Sequence, residues 1–178
     1  MKKIVLVSST FRKRGNSEIL ADEFEKGALE GGNQVKRINL RDIELKFCIG
    51  CLSCLKTGKC VQKDSVNALL EDVAQADILV FATPVYYYEM SGQMKTFLDR
   101  LNPLYGRDNA FKEVYLIATS AEDDKHAMDG AIKGLQGWID CFDGARFKKV
   151  IYGTGLEKTG EAQGSKAAKE AYEVGKSI

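Results

Sequence analysis

The clearest structural signal in this chain of 178 residues is the stretch Ile78-Leu79-Val80-Phe81-Ala82, which is apolar at every position. A strand covered on one face alternates apolar and polar residues, whereas a strand covered on both faces is apolar throughout. The stretch Lys3 to Val7 is also β-branched and apolar on consecutive positions. Both stretches therefore predict central strands of a parallel sheet that has helices on both faces.

Strand-like and helix-like segments alternate along the whole chain. Five strands are predicted, at residues 3–7, 34–40, 78–82, 113–118 and 147–152. Of five predicted helices, the first runs from Asn16 to the glycines at 31 and 32, the second follows Asp64 as its N-cap, and the others span 92–101, 125–142 and 162–175. This alternation predicts one α/β domain over residues 1–178, doubly wound, with right-handed crossovers and a cysteine-rich loop at 46–63.

Composition and charge exclude several classes of function. Hydrophobic residues make up 44% of the chain and charged residues 29%, which is typical of a globular protein. Twenty-six Lys and Arg nearly balance 25 Asp and Glu, so the chain lacks the basic patch of a nucleic-acid or anionic-membrane binder. Its apolar runs are shorter than a signal-peptide core or a membrane helix, so we expect a cytoplasmic protein.

The loop after the first strand has the composition of a phosphate-binding loop. It runs from Ser8 into a helix, and a helix N-terminus offers free N–H groups and a partial positive charge to an anion. It matches neither GxGxxG nor a Walker loop, which favours the single phosphate of a mononucleotide. The candidate phosphate-binding residues are Ser9, Thr10, Arg12, Asn16 and Ser17. The alternative is an ordinary capped turn with solvated basic residues.

The loop after the third strand offers a flat aromatic surface. Pro84 stiffens the chain at the rim of the sheet, and three tyrosines in succession, Tyr86, Tyr87 and Tyr88, cannot all point into a core. At least one is expected to line a cleft, where an aromatic ring suits a planar heterocycle. The alternative is an aromatic cluster at a subunit interface.

Four cysteines lie within 13 residues, at Cys48, Cys51, Cys54 and Cys60. The first three are spaced like the compact run that wraps a [4Fe–4S] cluster, whereas zinc prefers two separated pairs. A cluster, zinc and a metal-free, oxidation-sensitive loop remain as alternatives. Cys141 is expected to be a buried small hydrophobe. His126 is the only histidine, which excludes a Ser-His-Asp triad and a multi-histidine metal site.

Three motifs resemble one superfamily. Thr10-Phe11-Arg12 with Gly15-Asn16-Ser17 resembles the phosphate loop of flavodoxin-like FMN reductases, although position 9 is Ser where that loop usually has Gly. The run from Thr83 to Tyr86, with Met90-Ser91-Gly92-Gln93-Met94-Lys95-x-Phe97-x-Asp99-Arg100, resembles their isoalloxazine loop and the helix after it. The cysteine motif is similar to that of archaeal and anaerobic iron–sulfur flavoproteins.

The resemblance implies a flavodoxin-like three-layer sandwich with strand order 2-1-3-4-5 and an FMN cofactor. Beyond the phosphate loop, the residues implied to contact the flavin are Thr83, Pro84, Val85, Tyr86, Tyr87, Tyr88, Thr119 and Ser120. No catalytic side chain is needed, because the flavin carries the chemistry. The implied function is NAD(P)H-dependent reduction of a quinone, a flavin or a similar acceptor, by a homodimer or tetramer. The alternative is an FMN electron carrier that has only protein partners.

Overall fold

The computed structural model describes all 178 residues. Its strands are β1 (Lys3–Ser8), β2 (Gln34–Asn39), β3 (Ile78–Tyr86), β4 (Glu89–Met90), β5 (Glu113–Thr119) and β6 (Arg146–Gly153). Its helices are α1 (Asn16–Glu30), α2 (Ser53–Thr57), α3 (Val66–Ala74), α4 (Gly92–Arg100), α5 (Asp129–Ile139) and α6 (Lys166–Lys176). None of these helices has the length together with the apolar character that crossing a bilayer requires.

The five long strands form a parallel sheet in the order β2-β1-β3-β5-β6. This is the predicted order 2-1-3-4-5, which is confirmed. The third strand is longer than the predicted 78–82, because β3 continues through Pro84 to Tyr86 and pairs there with the added short strand β4. The chain reverses only at Tyr87 and Tyr88, so β3 projects beyond the rim of the sheet.

Two separate cores explain why the central strands are apolar at every position. Ile4 and Leu6 of β1 point into a core of 17 buried residues that includes side chains of α1 and α6. Val5 and Val7 point into a core of 26 buried residues that includes side chains of α3, α4 and α5. Burying apolar side chains on both faces stabilises the sheet, which is covered by helices as predicted.

Helices α1 and α6 pack backbone to backbone through two glycines. A Cβ atom on Gly27 would lie 2.1 Å from the carbonyl oxygen of Tyr172. A Cβ atom on Gly175 would lie 2.1 Å from the carbonyl oxygen of Phe24. Any side chain at these positions would force the two helices apart and strain the smaller core.

We expect Gly175→Ala to lower the free energy of unfolding by about 1–3 kcal/mol, because the added methyl group overlaps backbone rather than a movable side chain. Gly137→Ala is the matched control, since Gly137 is an exposed position of α5 with nothing within 4 Å of an added Cβ. At that position, alanine should raise the free energy of unfolding by about 0.5–1 kcal/mol. Urea denaturation followed by circular dichroism measures both, and effects of the same sign would contradict this packing.

Candidate functional site

A cleft of about 200 Å³ lies at the carboxyl ends of the central strands. This is where an open α/β sheet binds ligands, because the crossovers from neighbouring strands leave to opposite faces there. Its lining residues are Thr10, Arg12, Gly15, Asn16 and Ser17 after β1, Pro84, Val85 and Tyr86 at the end of β3, Thr119 and Ala121 after β5, and Leu156 and Glu157 after β6. The cleft thus brings together residues predicted from three separate loops.

The N-terminus of α1 presents unused hydrogen-bond donors at this cleft. The N–H group of Ile19 is the first to bond within the helix, to the carbonyl of Gly15. The N–H groups of Asn16, Ser17 and Glu18 have no partner in the protein, and no side chain caps the helix. The Ser17 hydroxyl is buried and also unpartnered. A buried polar group without a partner is costly, so this arrangement suits an anionic ligand.

Asn16 lines the cleft, and its side chain bonds to the protein itself. Its side-chain amide donates to the carbonyls of Leu156 at 3.0 Å and Lys158 at 2.8 Å. Its side-chain oxygen accepts from the N–H of Ala162 at 3.1 Å. Through these three bonds, the Asn16 side chain holds the segment after β6 against the cleft. Sequence reasoning missed Leu156 and Glu157, because this segment carries no motif and only bonds across the fold, from Asn16 and from the N–H of Leu156 to the carbonyl of Ser120, bring it to the site.

Two predicted cofactor residues, Ser9 and Thr83, are buried outside the cleft lining. The Ser9 hydroxyl donates to the carbonyl of Ala82 at 3.3 Å and accepts from the hydroxyl of Ser91 at 2.8 Å. The Thr83 hydroxyl donates to the carbonyl of Pro84 at 2.9 Å and accepts from the N–H of Ser91 at 3.0 Å. Both side chains therefore join the first loop, the end of β3 and the start of α4.

The three tyrosines separate into one cleft residue and two turn residues. Tyr87 and Tyr88 are the central residues of the β3–β4 hairpin, with φ values of 50° and 66°. Left-handed backbone is unfavourable for bulky residues, so this turn is strained. Tyr87 is fully exposed, whereas the Tyr88 hydroxyl donates to Glu122 at 2.6 Å. Of the three, only Tyr86 lines the cleft.

Glu122 connects this hairpin to the loop after β5. Its hydrogen bond and its negative charge raise the pKa of Tyr88, so the phenol remains a donor at neutral pH. Its backbone carbonyl accepts from the Ser120 hydroxyl at 2.9 Å. Ser120, which was predicted to contact the cofactor, therefore shapes the loop that carries Ala121 and lies outside the cleft lining.

The four clustered thiols line one small cavity of about 20 Å³. The N–H of Gly50 lies 3.5 Å from the Cys48 sulfur, and the side-chain amide of Asn102 lies 3.1 Å from the Cys54 sulfur. Hydrogen bonding from Ser53 lowers the pKa of Cys51. No three Cys, His, Asp or Glu side chains in the structure lie close enough together to hold a single metal ion. The predicted loop also contains the short helix α2.

Asp64 and Arg100 form a fully buried ion pair at the base of the cysteine loop. Asp64 was predicted as a helix cap, and it does accept the N–H of Val66 at 3.2 Å, but its main partner is Arg100. Arg100 also donates to the carbonyl of Lys46 at 2.6 Å. Burial by itself would raise the pKa of Asp64, but hydrogen bonds from Arg100 and from the N–H of Lys46 outweigh it and lower the pKa.

The predicted burial of Cys141 is wrong. Helix α5 ends at Ile139, so Cys141 follows the helix and its thiol is exposed. His126 lies on the surface, with its Nδ1 atom 2.9 Å from the Asp129 carboxylate.

The chain is similar to known proteins both in sequence and in fold. A family model described as NADPH-dependent FMN reductase matches residues 2–140. The chain belongs to this family. The match includes the loop after β1, the tyrosine hairpin, the four clustered cysteines and the Asp64–Arg100 pair.

Curated relatives of two kinds are similar to the chain. An iron–sulfur flavoprotein of Archaeoglobus fulgidus is 36% identical over 115 residues, which are 65% of this chain and 51% of that protein. A putative NAD(P)H-dependent FMN-containing oxidoreductase of Bacillus subtilis is 28% identical over 167 residues, which are 86% of this chain and 85% of that protein. The chain spans about half the length of the archaeal flavoproteins to which it is 36% identical.

Solved structures share the fold. An azoreductase of Bacillus anthracis superimposes with a TM-score of 0.75 at 18% identity, over 100% of both chains. An NAD(P)H:quinone oxidoreductase of Methanothermobacter marburgensis superimposes with a TM-score of 0.76 at 14% identity, over 98% of this chain and 94% of that chain. These likenesses support the doubly wound, flavodoxin-like architecture of the FMN reductase family.

We expect Asp64→Asn to lower the free energy of unfolding by about 3–5 kcal/mol, because it leaves the Arg100 charge buried without its partner. The wild-type contribution should be present above the usual aspartate pKa of about 3.9 and be lost as pH falls through the lowered folded pKa, because the unfolded state binds the proton first. Urea denaturation from pH 7 to pH 3 measures this step, which the variant should lack.

Asp99→Asn is the matched control for that experiment. Asp99 forms an exposed ion pair with Lys95 at 2.7 Å on the same helix, so its loss should cost about 0.5 kcal/mol or less. Equal costs for the two substitutions would show that burial of the Asp64–Arg100 pair contributes nothing.

Proposed function

We propose that this protein binds FMN and catalyses the NAD(P)H-dependent reduction of a quinone, a flavin or a similar acceptor. The observation that carries the proposal is the set of unpartnered donors at the N-terminus of α1, including the buried Ser17 hydroxyl. They lie at the switch point of the sheet, in a chain of the FMN reductase family. The relatives named as flavoproteins and FMN-containing oxidoreductases support the same cofactor.

The proposed phosphate site combines three kinds of attraction. The N–H groups of Asn16, Ser17 and Glu18 supply hydrogen bonds along the positive end of the α1 dipole. The Ser17 hydroxyl supplies a further donor, because it has no partner in the protein. Arg12 is exposed at the cleft and supplies the full positive charge. A single terminal phosphate fits this donor set.

The proposed ring site is the wall formed by Pro84, Val85 and Tyr86. Pro84 fixes the backbone where β3 leaves the sheet, and Tyr86 is half-exposed, with 50% of its surface accessible. Thr119, which pairs with Pro84 across the sheet, and Ala121 also line the cleft. FMN, when bound, supplies hydride and electron transfer, so the residues of this chain bind it, orient it and exclude water from it.

We also assign a [4Fe–4S] cluster to the four-cysteine cavity. Four cysteine thiolates are the usual ligand set of a [4Fe–4S] cluster, and the loop supplies four thiols. All four line one cavity together with apolar residues, and they would hold the cluster there. The donors at Cys48 and Cys54 also suit cluster sulfurs, whose properties depend on such hydrogen bonds.

An FMN electron carrier with protein partners is the second candidate, and the four-cysteine cavity favours it. A cluster would pass electrons one at a time to a protein partner, whereas a reductase passes hydride equivalents from a nicotinamide to a small acceptor. Both candidates share the cofactor sites, so only turnover separates them.

The assembly that suits the surface is a homodimer or tetramer in the cytoplasm. Apolar side chains are exposed along the cysteine loop, among them Phe47, Ile49, Leu52, Leu55 and Val61. Contiguous exposed apolar surface marks an interaction site, and a second copy of this chain would cover it. Five free cysteines suit a reducing compartment. Sedimentation of the holoprotein tests the assembly, and a monomer at micromolar concentration would exclude it.

The anaerobically purified protein should be yellow, with flavin absorbance and a broad shoulder from the cluster, and should oxidise NADPH or NADH in the presence of a quinone or free flavin. Full photoreduction of the bound flavin without nicotinamide oxidation would identify the carrier instead. A colourless protein that takes up neither FMN nor iron would contradict both candidates.

We expect Ser17→Ala to weaken FMN binding about tenfold to a hundredfold, because a hydrogen bond to a charged phosphate contributes about 1.5–3 kcal/mol. Riboflavin, which has no phosphate, should bind equally well to both proteins. Ser177→Ala is the matched control, since this hydroxyl only caps the end of α6. Flavin fluorescence titration measures all of these affinities. An equal loss of riboflavin affinity in Ser17→Ala would show that Ser17 does not bind the phosphate.

A further inference from the structure

The buried Arg100 has one nitrogen atom that the fold leaves unused. Its two terminal nitrogens donate to the carboxylate of Asp64, and one of them also donates to the carbonyl of Lys46. Its Nε atom is buried and has no hydrogen-bond partner. Arg100 is 1% exposed, so bulk solvent does not reach this nitrogen. A buried guanidinium N–H without an acceptor indicates that an acceptor binds there.

The clustered thiols share a cavity with Arg100. Arg100 lines the small cavity together with Cys48, Cys51, Cys54 and Cys60, whereas Asp64 lies outside its lining. The hydrogen bonds to Asp64 are the main cause that raises the pKa of Arg100, and the neighbouring Cys60 raises it further. The positive charge of Arg100 therefore lies at the thiol cavity with Asp64 behind it, while the Asp99 carboxylate, which also lines the cavity, is paired with Lys95.

The same side chain also closes the cysteine loop. Lys46 precedes the first cysteine and Asp64 follows the last one, and Arg100 binds both. The Asp64 carboxylate completes the closure by accepting the N–H of Lys46 at 2.8 Å. One arginine on α4 thus fixes both ends of the segment that carries all four thiols.

We infer that Arg100 is the positioning residue of the four-cysteine cavity: Asp64 holds its guanidinium so that the Nε–H and its positive charge stabilise the sulfur ligands. This inference rests on the proposed cluster. A reduced cluster carries one more negative charge than the oxidised one. A fixed positive charge beside Cys60 therefore favours reduction and raises the cluster potential.

The test is the reduction potential of the cluster in the full chain, reconstituted anaerobically with iron, sulfide and FMN. Arg100→Gln removes the charge and should shift the one-electron equilibrium at least tenfold toward the oxidised cluster, which is 59 mV. Asp64→Asn leaves the arginine charge unbalanced and should shift the equilibrium the opposite way. If the pair had a purely structural role, the two substitutions would not shift the reduction potential in opposite directions.

Two further variants of this chain, a double variant and a control, make the test decisive. The double variant Asp64→Asn with Arg100→Gln leaves no lone buried charge, and it should still shift the equilibrium at least threefold toward the oxidised cluster, since Arg100 is the member that lines the cavity. Arg37→Gln removes the same charge from a pair formed with Asp22 and Glu25 on α1, and it should shift the equilibrium less than twofold.

The outcomes separate the two claims. A wild-type cluster with the same potential in the Arg100 and double variants would overturn the role of Arg100 and leave the cluster assignment standing. If the single variants fail to fold, an unchanged cluster potential in the double variant would by itself overturn the role of Arg100. If the wild-type chain takes up no iron and sulfide, the cluster assignment fails and this inference fails with it.

Discussion

The cleft depends on a hydrogen bond between two buried hydroxyl groups, those of Ser9 and Ser91, at 2.8 Å. Ser9 is the first residue after β1 and is anchored to β3 through the carbonyl of Ala82. Ser91 caps α4 by accepting the N–H of Met94, and its own N–H binds Thr83. This network joins the loop after β1 to the end of β3 and the tyrosine hairpin. Because it is fully buried, losing one member leaves the others unsatisfied, so the loops keep a fixed separation.

Helix α4 extends that constraint to the cysteine loop. It begins next to Ser91 at the cleft and ends at Arg100, which binds both ends of the cysteine segment. Nine residues of helix span about 13 Å, so the proposed flavin and thiol sites are held at a set spacing by one rigid element. Electrons that pass between the two sites would then travel a distance that loop motion does not change. The short loop between β4 and α4 also couples the strained tyrosine turn to this helix.

The fold was predictable because local patterns and tertiary structure agree in it. The apolar runs of β1 and β3 require two covered faces, and the strand order followed from the family resemblance. The extension of β3 past Pro84 was not predictable, since it requires a turn in which Tyr87 and Tyr88 both adopt left-handed backbone. Residues of that size rarely do so, and no sequence rule assigns them to such a turn.

The site was predicted in part. The cleft is lined, as the motifs predicted, by Thr10, Arg12, Ser17 and Tyr86. These motif positions lie close to strand ends, so the fold restricts where they can lie. Ser9, Thr83 and Ser120 were assigned to the cofactor, yet they hold the loops through buried hydrogen bonds. A hydroxyl that binds a ligand and one that binds a neighbouring loop look alike in sequence. The Asp64–Arg100 pair was missed for a related reason, since its partners lie 36 residues apart and meet only in the folded chain.

The central claim is that the loop after β1 holds a flavin phosphate on donors the protein itself leaves unpaired. A crystal structure of the protein with bound FMN tests it most directly. We predict phosphate oxygens within hydrogen-bond distance of the Ser17 hydroxyl and of the N–H groups at residues 16–18, with the ring system against Pro84 and Tyr86. A flavin bound elsewhere, with the Ser17 hydroxyl still unpartnered, would contradict the account.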